Sequence, residues 1–69
     1  MLEIESIRVG DVFVFVRDNL RISSTILIIG IFPEKNTICV VRNGKIDRWE
    51  VWPTWFDKRT WVEAGYTTL

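Results

Sequence analysis

The sequence predicts one mostly-β domain: a small five-stranded, partly open barrel with one short helical turn before the last strand. Three observations lead there. Segments of about six β-branched and aromatic residues recur along the chain, turn-forming residues separate them, and 69 residues leave room for one domain only, spanning 1–69.

The first strand is Val-Phe-Val-Phe-Val-Arg at 12–17, entered from Gly10-Asp11. Residues 18–24 read as a connecting loop. Thr25 to Phe32 forms a second strand, apolar on both faces, with Gly30 marking a bulge or sharp bend. Pro33-Glu34-Lys35-Asn36 is a turn: Pro sets φ at the first corner, and Asn accepts the left-handed closing position. Thr37 to Arg42 is the third strand. Asn43-Gly44 is the strongest hairpin signal in the chain, because a type I′ turn needs positive φ at both positions. Ile46 to Trp52 is the fourth strand, and Pro53 stops it. Thr54 can cap a single helical turn over 55–58, Thr60 to Glu63 reads as the fifth strand, and the last residues read as a frayed end.

In layout, and in the opening Val9-Gly10-Asp11-Val12, the chain resembles SH3-like barrels, including KOW-type modules, whose first strand often begins with a Gly-Asp pair. The resemblance implies a barrel; it carries no site, because fold does not imply function.

The two turns set a register. A two-residue loop at Asn43-Gly44 places Arg42 opposite Lys45, Val41 opposite Ile46, Val40 opposite Asp47, Cys39 opposite Arg48 and Ile38 opposite Trp49. A four-residue loop at 33–36 places Ile31 opposite Ile38, Ile29 opposite Val40 and Ile28 opposite Val41. Strict alternation then predicts a core face of Leu27, Ile29, Ile31, Ile38, Val40, Trp49 and Val51. The opposite face carries Ile26, Ile28, Gly30, Cys39, Val41, Ile46, Arg48, Glu50 and Trp52. Its aliphatic residues need cover, either from the first strand (Val12, Val14 and Val16, or Phe13 and Phe15) or from another molecule. Under the second reading the face is an interface with an apolar centre and a charged rim at Arg48 and Glu50.

The partner-binding candidates are therefore Ile28, Val41, Ile46, Arg48 and Trp52, with Trp55 as a possible anchor. Trp52, Trp55 and Trp61, with Phe56 and Tyr66, either seal one end of the domain or present a recognition platform. Arg42, Lys45, Lys58 and Arg59 beside these rings offer a second reading, contacts to nucleic acid through base stacking and cations. Nine basic residues balance nine acidic ones, which argues against a strongly electrostatic nucleic-acid binder.

Catalytic chemistry is poorly supplied. There is no His, which removes Ser-His-Asp and Cys-His systems and the commonest metal ligand, and one Cys cannot build a structural zinc site. No phosphate loop, dinucleotide fingerprint or calcium loop occurs. An enzyme of this size would build its site between subunits, as a plasmid-borne dihydrofolate reductase with an SH3-like barrel does; the ligand-binding motif of that family is absent here. No cofactor or metal is expected.

Cys39 has no intrachain partner and suits a reducing compartment. The first residues carry acid where a signal peptide carries base, and the longest apolar run, Ile26 to Phe32, is too short for a bilayer. The expectation is a cytoplasmic, non-catalytic interaction module that binds a protein partner or itself. Compact, neutral domains of this kind suit accessory or regulatory proteins, phage-encoded ones among them.

Overall fold

The computed structural model describes residues 5–16 and 22–68. Five strands, β1 (Val12–Val16), β2 (Ile22–Phe32), β3 (Thr37–Arg42), β4 (Lys45–Glu50) and β5 (Tyr66–Thr68), form one antiparallel sheet in the order β4-β3-β2-β1-β5. One short helix, α1 (Lys58–Glu63), precedes the last strand. The mostly-β class expected from the sequence is observed, but the sheet is open. Strands β4 and β5 are its two edges, and no ladder between described residues joins them into a closed barrel.

The turns behave as their residues dictate. Pro33–Lys35 makes a 3-10 turn closed by Asn36 at φ 50°, and Asn43 and Gly44 take φ 54° and 76°, the pair of positive values a type I′ turn requires. The resulting β3–β4 register runs from Arg42–Lys45 to Thr37–Glu50, and its five pairs from Arg42–Lys45 to Ile38–Trp49 are those expected. The expected loop at 18–24 is shorter: β2 already begins at Ile22, and residues 17–21 lie outside the described residues.

Between β2 and β3 the register departs from strict alternation. Ile31 pairs with Ile38 and Gly30 with Cys39, in the expected register, but Ile28 then pairs with Val40 and Leu27 with Val41. Ile29 is an extra residue in β2, a bulge beside Gly30. A Cβ at Gly30 would lie 3.1 Å from the Phe32 ring and 3.3 Å from the Cys39 Cβ, so only glycine fits there without a shift. The bulge reverses the faces of β2 on its N-terminal side. Ile26 and Ile28 enter the core with Ile38 and Val40, all fully buried, whereas Leu27 and Ile29, expected in the core, leave it. The other expected cover fails too. Strand β1 lies beside β2 in the same sheet, with Phe13 opposite Ile26 and turned into the core.

The segment after β4 also differs from its reading. Pro53–Phe56 is a 3-10 turn, and α1 occupies the stretch expected to be the fifth strand. Asp57, not Thr54, supplies the cap: its Oδ1 accepts from the Arg59 amide at 2.9 Å. Gly65, at φ 105°, ends the helix, and the residues expected to fray form β5 against β1. Thr60-Trp61-Val62 is β-branched and aromatic and so reads as a strand, but a single buried residue can equally anchor a short helix. That residue is Trp61.

Trp61 is fully buried against the core face. Its ring stacks on Phe13 at 4.3 Å and 15° and meets Trp55 and Tyr66 edge-on at 5.0 and 5.1 Å. Its Nε1 donates to the Trp55 carbonyl at 2.8 Å, so the one polar atom brought inside is satisfied. Ile7 completes the layer: its amide donates to the Phe56 carbonyl, and the Lys58 amide donates to the Glu5 carbonyl. The core is thus a single layer between the sheet and one aromatic cap.

Candidate functional site

The cap covers one face of the sheet and leaves the other to be read residue by residue. On that outer face Ile46 is 72% exposed and Phe32 is 43% exposed, with Val41 and Cys39 half-buried between them and Arg48 and Glu50 exposed at the border. Among the described residues, Val14 and Thr37 are buried positions of this face. A shallow hollow of about 430 Å³ lies on this face, lined by Phe32, Lys35, Thr37, Cys39, Arg48 and Glu50.

Strand β4 borders this face and is an edge of the sheet. Its backbone phase is set twice. The Asn43-Gly44 turn bonds Arg42 to Lys45, and at the far end the Val51 amide donates to the Asn36 carbonyl at 2.7 Å. Odd-numbered residues therefore spend their backbone groups on β3. The amides and carbonyls of Ile46, Arg48 and Glu50 point to the open edge, while their side chains lie on the outer face.

Just past β4, Trp52 is 77% exposed in an extended conformation, φ −69° and ψ 152°. With Trp49, Glu50, Val51 and Trp55 it lines a shallow cleft of about 320 Å³ that turns the corner from the edge toward the aromatic cap. Of the six residues singled out for partner binding, Val41, Ile46 and Arg48 lie on the outer face and Trp52 beside it. Ile28 does not belong: the bulge buries it completely. Trp55 is half-buried against Trp61, so it supports the cleft from below rather than standing free. Phe32 and Ile29, by contrast, were not singled out and prove partly exposed, the signal being Gly30, whose bulge reassigns its neighbours.

The cations proposed for nucleic acid are partly engaged. Arg42 pairs with Asp47 at 3.6 Å and lies 5.7 Å over the Trp49 ring; Lys58 pairs with Asp11 at 3.6 Å. Lys45 and Arg59 are exposed. Asp11 also holds the turn before β1, accepting from the Arg8 amide at 2.7 Å, which accounts for the Gly-Asp pair in structural terms. No protein-family model, curated protein or solved structure matches the chain, so the assignment of this surface rests on its own geometry.

Proposed function

We propose that this protein is a small, non-catalytic interaction module that receives a protein partner on the outer face of its sheet. The observation that carries the reading is one sheet face with Ile46 exposed at its hairpin end and Phe32 at the other, half-buried Val41 and Cys39 between them, Trp52 exposed just past β4, and Arg48 and Glu50 on the bordering edge strand. An apolar centre with a charged rim is the anatomy of a protein interface. We read the layout as SH3-like, supported by the strand meander, the helical segment before β5 and the Gly10-Asp11 turn before β1. The nucleic-acid reading is weaker, since two of its four cations already face carboxylates.

The test is Ile46→Asp. Because the side chain is exposed, the substitution should leave stability within about 0.5 kcal/mol of wild type, while a charge in place of the most exposed aliphatic side chain of this face removes partner binding in affinity capture, or self-association in solution. A folded Ile46→Asp protein that keeps both its partners and its mass overturns the proposal.

A further inference from the structure

We infer that the open edge of β4 is built to pair with β4 of a second copy of this chain, antiparallel and in one register centred on Trp49. The inference rests on reading this border as an interaction surface and adds the identity of the partner and the geometry of the contact.

Two edge strands that meet antiparallel with their free sides toward each other are related by a twofold axis perpendicular to the sheet. That operation preserves the faces, so opposed residues must come from the same face, and the axis must pass through a residue rather than between two. Among the described residues, the backbone groups on the open side of β4 are those of Ile46, Arg48 and Glu50, which meets this requirement in every such register.

The side chains then choose among the registers. An axis at Asp47 sets Asp47 against its own copy, an axis at Arg48 sets two arginines together, and an axis at Glu50 sets two glutamates together; each opposes like charges directly. An axis at Ile46 runs the partner into the Asn43-Gly44 turn after a short overlap. An axis at Trp49 has none of these faults. It places Arg48 opposite Glu50 of the second copy, twice by symmetry, with the outward backbone groups of both residues in bonding position. It also places Ile46 opposite Trp52, bringing together the two most exposed large apolar residues along this edge. Trp49 meets its own copy on the capped face, and the 3-10 turn at Pro53–Phe56 ends the extended backbone beyond Trp52. Charges on an edge strand ordinarily deter pairing. Here they deter the wrong registers and satisfy one.

The experiment is absolute mass by light scattering across a concentration series, for wild type, Arg48→Glu, Glu50→Arg and an equimolar mixture of the two variants. Wild type is expected to approach twice the 8.1 kDa chain mass. Each variant alone opposes like charges twice and should need at least tenfold more protein to associate. The mixture sets an acidic strand from Arg48→Glu against a basic strand from Glu50→Arg, so both cross-strand pairs are again of opposite charge. It should recover the dimer, and this recovery also shows that both variants are folded. Wild type that stays monomeric, single variants that dimerise as well as wild type, or a mixture no better than its components each overturns the inference. A monomeric wild type whose foreign partner is lost in Ile46→Asp removes this contact while leaving the interaction-module reading intact.

Discussion

Trp61 and Trp52 are the same residue type nine positions apart, with opposite fates. Trp61 touches Phe13, Trp49, Trp55 and Tyr66 and has its indole nitrogen satisfied by a backbone carbonyl. Truncating it removes the centre of the cap, and Trp61→Ala should cost about 3–5 kcal/mol, close to the whole stability of so small a domain. Trp52→Ala removes a ring that is mostly in water and should change stability by no more than about 0.5 kcal/mol. Urea titration of both variants checks this. Similar losses for the two would mean that Trp52 also belongs to the core. Nothing in the local sequence separates them: Trp-Pro and Trp-Val contexts set backbone preference, not burial. What separates them is that α1 carries Trp61 back over the sheet.

Among the elements, β2 is the decisive one. Its bulge converts a continuous apolar run into two half-strands of opposite facing, and so decides which isoleucines are core. Ile28→Ala should therefore cost about 2–5 kcal/mol, while Ile29→Ala, at the bulge and 39% exposed, should cost less than about 1 kcal/mol. The reverse ranking in thermal or urea unfolding would restore unbroken alternation. Gly30 makes a bulge legible from sequence, and the register of β3 with β4 is legible in full from Asn43-Gly44. The consequence of the bulge for the faces follows only when the extra residue is carried through the pairing, because one inserted residue inverts every side chain beyond it. The helix was less legible. Asp57 caps it with a carboxylate oxygen, but Thr54 offers a hydroxyl acceptor three residues earlier, and local sequence ranks neither.

As a whole the molecule is a plate, 35 × 33 × 18 Å, one sheet thick with an aromatic cap on one side. Such a shape buries less than a closed barrel of the same length, and its outer face and β4 edge are where further burial is available. If two copies pair along β4, the folded state gains a ligand in itself, and its stability depends on protein concentration. The melting temperature of wild type should rise as concentration is raised tenfold and then tenfold again, while that of Arg48→Glu should stay nearly constant. A wild-type melting temperature independent of concentration would count against pairing at this scale.

By itself the sequence determined the class, the turns, the whole of β3 and its register with β4, and the presence of a surface rich in Ile46, Arg48 and Trp52. These depend on residues within a few positions of one another, where φ preference and alternation act directly. Tertiary structure alone decided that the sheet stays open, that Ile28 is core and Ile29 is not, that Trp61 lies inside and Trp52 outside, and that β4 is an edge. Each depends on what lies across the sheet or beside the strand. Packing partners distant in sequence set it, and no local preference encodes them.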